Sequence, residues 1–245
     1  MDWVTTFYAR QGELTGCYSG GVLAHHRAKA ARVPALAGRD GGRVLELGAG
    51  GGQMAVAVAE GGFEVVAVEL VPASAQSARE LVSSTGAAVE VVEGSFYEVE
   101  LSGGFDLVVY WDGFGVGSDE DQRRLLKRVR AWLATGGVAL VEVYTPWYAA
   151  RSAGHGWPMG EAEREYGFDA EGSRWLDSWW PRGRPEEAVT QSLRAYSPAD
   201  LELLLETTGL ALESIHPGGG LDFETMTWKD PRPLSEAMAY TAVLR

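Results

Sequence analysis

The chain is poor in sulfur and in positive charge. Cys17 is its single cysteine in 245 residues. That excludes an intramolecular disulfide and suits a reducing compartment. Only Lys29, Lys127 and Lys229 are lysines, and 21 basic residues stand against 34 acidic ones, a formal charge of -13. Such a surface repels a phosphate backbone, so no nucleic-acid partner is expected. The four histidines are His25, His26, His155 and His216. They show no HxxxH spacing, and neither a nucleophile triad nor a metal-ligand quartet appears, so no metal is expected. No run approaches the roughly 20 apolar residues that span a bilayer. Met1 is not followed by a basic segment and an apolar run, so no signal peptide is expected either. These absences lead us to expect a cytoplasmic protein with no membrane partner. The oligomeric state is not legible.

What is present is an alternation of strand-like and helix-like segments. Arg43–Leu47, Glu64–Glu69, Ala88–Val92, Phe105–Tyr110 and Gly137–Tyr144 read as strands. Each is dense in Val, Leu or aromatics with little alternation, as in strands covered on both faces. Between them, Gln53–Glu60 is a short apolar helix stopped by Gly61, and Pro72–Ser84 opens on a proline. Asp119–Ala134 carries three acids in its first turn and arginines later, which suits the helix dipole. Ser197-Pro198 then caps a further helix, and Leu210–Ile215 and Tyr240–Leu244 are candidate last strands, a possible antiparallel pair. This order predicts an α/β fold with a parallel, doubly wound sheet. Residues 145–195 break the alternation. They hold five of the nine tryptophans, namely Trp147, Trp157, Trp175, Trp179 and Trp180. Arg174–Trp180 and Ala188–Tyr196 read as a hairpin there, so the insertion is either a small core of its own or a lid.

The stretch "VLELGAGGGQ", Val44–Gln53, ends a strand in a glycine turn. It has the first two glycines of a dinucleotide fingerprint, but Gln53 stands where the third belongs. Glu46 lies two residues before the first glycine. A carboxylate there opposes a pyrophosphate and attracts an ammonium or sulfonium; the alternative is a pair with Arg43. Glu69 closes the second strand, where an acid accepts from ribose hydroxyls in NAD and S-adenosylmethionine sites alike. Gly94-Ser95-Phe96 follows the third strand and offers an adenine a polar edge and a ring face. Trp111 and Asp112 sit at the tip of the fourth.

On these motifs the sequence resembles the class I S-adenosylmethionine-dependent methyltransferases of small-molecule type. "VLELGAGGG" is similar to their first motif, "VVAVEL" to the ribose-binding acid, "GSFY" to the adenine turn and "FDLVVYWDGFG" to the fourth motif. The similarity runs from about residue 42 to 215. It implies a seven-stranded, mostly parallel sheet whose last strand is antiparallel, with the aromatic insertion after the fifth strand. It implies S-adenosylmethionine held by Glu46, Gly48, Ala49 and Gly50, by Glu69 and Leu70 at the ribose, and by Gly94, Ser95 and Phe96 at the adenine. Where the family usually carries Asp in that last turn, this chain has Ser95. The whole chain is expected to be one domain. Residues 1–40 form a helical cover, from which Tyr8 and Tyr18 close the site and His25, His26 or Arg27 meets the methionine carboxylate.

The expected activity is methyl transfer to an O or N nucleophile of a small organic acceptor, such as a natural product. An NAD(P)-dependent oxidoreductase and a non-catalytic S-adenosylmethionine-binding protein stay open as alternatives. Asp112 and His155 are the candidate bases; Asp112 is equally natural as a turn residue before Gly113, and the plainer reading of His155 is a solvated loop residue. Trp111 is expected beside the cofactor, and Asp112, Phe114, Tyr144, Trp147 and Trp157 around the acceptor. Trp175, Trp179 and Trp180 read equally well as packing for the hairpin.

Overall fold

The computed structural model describes residues 2–245. Three helices lead: α1 (Asp2–Thr15), α2 (Ala24–Ala30) and α3 (Val33–Ala37). The sheet then begins as β1 (Gly42–Leu47), α4 (Gln53–Glu60), β2 (Phe63–Glu69), α5 (Pro72–Thr85), β3 (Val89–Glu93), β4 (Phe105–Tyr110), α6 (Asp119–Trp132) and β5 (Leu133–Tyr144). After α7 (Pro146–Ser152) come β6 (Gly156–Met159), β7 (Ala162–Asp169), β8 (Arg174–Pro181) and β9 (Val189–Arg194). The chain returns through α8 (Pro198–Leu205), β10 (Leu212–Pro217), the small hairpin β11 (Gly220–Asp222) and β12 (Thr227–Lys229), and β13 (Ala239–Leu244).

The seven strands are ordered β10-β13-β5-β4-β1-β2-β3. β1 pairs in parallel with β2 and β4, and the last strand, β13, runs antiparallel between β5 and β10. Alternate residues feed two cores, as the strand pleat requires. Leu45, Leu47, Val108 and Tyr110 face one side with Leu125, Val129 and Leu201 of α6 and α8. Val44, Val65, Ala67 and Val109 face the other with Ala30, Val33, Ala55 and Val58 of α2, α3 and α4. This is the doubly wound arrangement that the apolar runs imply.

Local signals set the ends. Ser118 and Ser197 each cap a helix, their hydroxyls accepting the N–H of Asp121 and Asp200, whose carboxylates reach back. α6 stops at Trp132 rather than Ala134 because the chain there enters β5 directly, with Leu133 already paired to Phe105. The insertion is an antiparallel sheet of four strands, β6-β7-β8-β9, rather than one hairpin. The β11–β12 hairpin has no counterpart in the sequence reading. Helix α1 packs against the four-stranded sheet through Phe7, which clusters with Trp179, and its Arg10 pairs at 3.0 Å with Glu187 in the turn between β8 and β9.

Replacing Ser197 by Ala removes the cap of α8 and should lower stability by about 1 kcal/mol in urea unfolding. An unchanged midpoint would show that Pro198 and the apolar face of α8 fix that helix end without the hydroxyl.

Candidate active site

The glycine turn after β1 is tied to the tip of β2. One oxygen of Glu69 accepts the N–H of Gly50 and the other that of Val71, both at 2.7 Å. Gly50 has φ 55°, and a Cβ there would lie 2.9 Å from the Tyr18 ring. A Cβ on Gly51 would lie 2.2 Å from the Tyr18 carbonyl oxygen. The turn therefore needs glycine because the segment after α1 lies directly on it. Gln53, at the position of the absent third glycine, is buried and donates to the Ser19 carbonyl at 3.2 Å, fastening the same segment.

Beneath this turn is a cavity of about 670 Å³. Its walls include Tyr8, Tyr18, Glu46, Gly48, Ala49, Gly50, Glu69, Leu70, Ser95, Phe96 and Trp111, together with His26. Ser95 accepts the Tyr97 N–H at 3.2 Å, and Phe96 stands edge-on to Tyr110, so the turn after β3 is shaped by its own contacts. Glu46 is 2% exposed and one of its oxygens has no partner. Arg43 lies instead over the Phe105 ring, so the Glu46–Arg43 pair is not formed. Burial pushes the Glu46 carboxyl up to about 8, Lys29 holds it down and Glu69 adds to the rise. Burial also raises Glu69, opposed by its backbone hydrogen bonds.

A second cavity, of about 500 Å³, adjoins the first. Tyr144, Trp157, Tyr166 and Trp175 stand in its walls, with Leu221, Met226 and Trp228 from the β11–β12 hairpin and its turn. Tyr8, Gln11, Asp112, Met159 and Arg164 line both cavities. Asp112 is held in a left-handed backbone conformation, φ 46°. Its N–H donates to Glu142 at 3.1 Å, and its carboxylate accepts from the Tyr144 hydroxyl. Glu142 in turn accepts from Lys29 at 2.8 and 2.9 Å, and Lys29 lies 4.8 Å from the centre of the Trp111 ring. Asp112 is accessible, and that surface faces the cavities. Burial and Glu142 raise its carboxyl above the usual range, while Tyr144 and Lys29 act the other way.

Several expected site residues lie elsewhere. Arg27 is turned to the surface, where its fork holds Glu60 at 2.7 and 2.9 Å, so it is not in the first cavity; His26, one residue earlier on α2, is. His155 is outside both cavities, its ring against Phe223 and its Nδ1 3.2 Å from the Ser152 carbonyl. Trp147 donates to the Leu234 carbonyl at 2.8 Å and, partly buried, packs against the cluster of Tyr144, Tyr148 and Trp175. Phe114 is 1% exposed among the α6 and α8 core residues. Gly94 serves its turn, donating to the Glu69 carbonyl at 2.8 Å. Trp175 and Trp179, read as hairpin packing, are both buried and in cavity walls, whereas Trp180 faces outward and donates to Glu163. The period of two in "RWLDSWWP" separates them: Trp175, Asp177 and Trp179 share the buried face.

A family model described as a methyltransferase domain matches residues 22–215. The chain belongs to that family. Among curated proteins no sequence matches. Solved structures share the fold. The methyltransferase CcbJ from Streptomyces caelestis has 23% identity and a TM-score of 0.74, over 96% of this chain and 95% of that one. An S-adenosylmethionine-dependent methyltransferase from Clostridium acetobutylicum has 15% identity and a TM-score of 0.71, over 91% and 92%. The S-adenosylmethionine-bound amino pentose methyltransferase CalS10 from Micromonospora echinaspora has 17% identity and a TM-score of 0.61, over 90% of each. The family match makes this chain a methyltransferase, and the Clostridium and Micromonospora proteins take S-adenosylmethionine as their methyl donor. The first cavity fits that donor: a buried carboxylate with an unpartnered oxygen suits a cation, and a glycine turn crowded by Tyr18 leaves no cradle for a pyrophosphate. Among the described residues no cluster of metal-ligating side chains occurs, and no helix is long and apolar enough to cross a membrane.

The Glu46 burial has a pH signature. Unfolded, the group ionises near the ordinary carboxyl value of 4.5; folded, it keeps its proton up to about 8. Between these values the folded chain binds the extra proton, so this group's contribution to stability falls as pH rises. The difference in unfolding free energy between wild type and Glu46→Gln should therefore change by up to a few kcal/mol between pH 5 and pH 8, on the order of one RT ln 10 per pH unit. Parallel stability curves would show that Glu46 is ionised in the folded protein.

Proposed function

We propose that the protein transfers the methyl group of S-adenosylmethionine to an oxygen or nitrogen of a small organic acceptor seated in the second cavity. The observation that carries this reading is the position of Asp112, which lines both cavities and so stands where methyl and nucleophile would meet. When bound, the cofactor supplies an electrophilic methyl group on a sulfonium. The chain does the rest. Glu46 faces the cationic methionine end, and Glu69, already held by two N–H groups, has lone pairs left for the ribose hydroxyls. Ser95 and Phe96 border the adenine, and Trp111 and Leu70 fill the wall between. Asp112 takes the proton that leaves the acceptor, and its raised affinity for a proton suits that role. Tyr144 orients it.

In this reading the 245 residues act as one domain. The amino-terminal helices cover the cofactor, and the four-stranded sheet covers the acceptor. The two covers meet where Gln191 donates to the Tyr8 hydroxyl at 2.6 Å. Closing them keeps water out and aligns the reactants, which supplies much of the rate in an in-line displacement. The aromatic walls favour a small molecule with a ring, as does the aminopentose acceptor named for CalS10. An oxidoreductase lacks support, because Glu46 opposes a pyrophosphate.

Calorimetry should show S-adenosylhomocysteine binding and no NADH binding; the reverse preference contradicts the reading. In an acceptor screen read by mass spectrometry as the gain of one methylene, Asp112→Asn should lower kcat by about 10²–10⁴ while leaving S-adenosylhomocysteine affinity unchanged. Full activity in that variant would remove Asp112 as the base.

A further inference from the structure

The inner face of the four-stranded sheet carries an ion pair that the methyl transfer does not use. Arg164 on β7 binds Asp177 on β8 through Nε and one terminal nitrogen, both at 2.7 Å. Trp157 and Trp179 are its directly opposite neighbours on β6 and β8. Its guanidinium carbon lies 4.4 Å from the centre of the Tyr166 ring and 4.6 Å from that of Trp179. Three strands therefore fix the plane of the guanidinium. The remaining nitrogen, Nη1, makes no hydrogen bond to the described residues and is not among their sealed, unpartnered buried atoms. The residue lines both cavities.

A buried ion pair in an aromatic layer gives little net stability, since desolvating both charges offsets their attraction. A pair whose cation keeps a free, pre-oriented donor is suited to recognition instead. The neighbouring hydroxyls lean the same way. The Tyr8 oxygen accepts from Gln191, and the Tyr148 oxygen accepts from the Leu221 N–H at 3.1 Å, which leaves each O–H proton to give. The Gln11 carbonyl oxygen accepts from Tyr18, which leaves its amide N–H groups. Against these donors the cavity offers as side-chain acceptors mainly Asp112, the Gln191 carbonyl and Asp177, whose two oxygens already accept from Arg164. A surplus of donors in a cavity wall calls for a ligand rich in accepting oxygens.

We propose that Arg164 is the specificity-determining anchor of the acceptor cavity, and that the acceptor carries, besides its nucleophile, a carbonyl or carboxylate oxygen that the free edge of Arg164 holds. This rests on the second cavity being the acceptor site. In that pose the nucleophile meets Asp112 from the sheet and the oxygen meets Arg164 from the insertion. A ring between them lies on Trp175 and Tyr144, whose own centres are 4.8 Å apart.

The test uses the full-length protein saturated with S-adenosylhomocysteine and small ring probes titrated by ligand-observed NMR. Benzoate and benzamide, a carboxylate and a neutral carbonyl, should each bind at least tenfold more tightly than fluorobenzene or aniline. A higher affinity for benzoate than benzamide identifies the carboxylate as the preferred form, and equal affinities identify the carbonyl. Arg164→Gln should abolish the preference for the oxygenated probes. Because that change strands Asp177, the double variant Arg164→Gln/Asp177→Asn is measured beside it, and the wild-type ratio stands on its own if neither folds. Fluorobenzene or aniline binding wild type as tightly as benzoate would overturn the proposal, as would a preference that survives loss of Arg164. Failure of wild type to bind S-adenosylhomocysteine would instead overturn the methyl-transfer reading itself.

Discussion

The carboxylate of Glu69 joins the glycine turn to the second strand, and the geometry of the site depends on that junction. Its two oxygens accept the Gly50 and Val71 N–H groups, so the turn after β1 and the chain entering α5 are fixed to one point. With the turn fixed, the Tyr18–Ser19 segment has a floor to lie on, and Gln53 fastens it from below. Glu46 is then enclosed with one oxygen unmatched. A buried carboxylate left in that condition is costly unless a cation meets it. The folded group therefore keeps its proton near neutral pH, and a cation placed beside it would favour its ionised form.

The second cavity depends on how the insertion folds. A four-stranded antiparallel sheet has two faces, and this one turns Trp157, Arg164, Tyr166, Trp175, Asp177 and Gln191 towards the cavities. Its outer face keeps residues such as Trp180 and Glu163 together. Rings supply flat, water-excluding walls, and the Arg164–Asp177 pair supplies a directional contact among them. On the sheet side, Lys29, Glu142, Asp112 and Tyr144 form a chain of hydrogen bonds from the amino-terminal helices to the second cavity. The amino-terminal helices, Asp112 and the wall of the second cavity are in this way linked.

Much of this is legible in the sequence. Apolar runs without alternation announce strands covered on both sides. Gln53–Glu60 is bounded by glycine turns strong enough to fix both ends, and Ser197-Pro198 starts α8 by capping chemistry. The strand-end acids Glu46, Glu69 and Asp112 are all found in cavity walls. What is not legible depends on distant partners. Arg27 follows a histidine that reaches the cavity, yet Glu60 draws it outward. Trp147 sits in a Gly/Pro-rich region but finds the Leu234 carbonyl, and His155 finds Phe223. The β11–β12 hairpin is only three residues a strand, too short for a periodic signal, and so Leu221, Met226 and Trp228 escape the sequence reading. The inward set of the insertion does have a signal, the alternation along Arg174–Pro181, which counting tryptophans conceals.

The most direct measurement is a crystal structure of the protein with S-adenosylhomocysteine. The account predicts the ribose hydroxyls on the Glu69 carboxylate, the homocysteine ammonium beside Glu46, and the sulfur directed toward Asp112 at the junction of the two cavities. A ligand whose ribose lies away from Glu69, or whose sulfur points away from the second cavity, would contradict it.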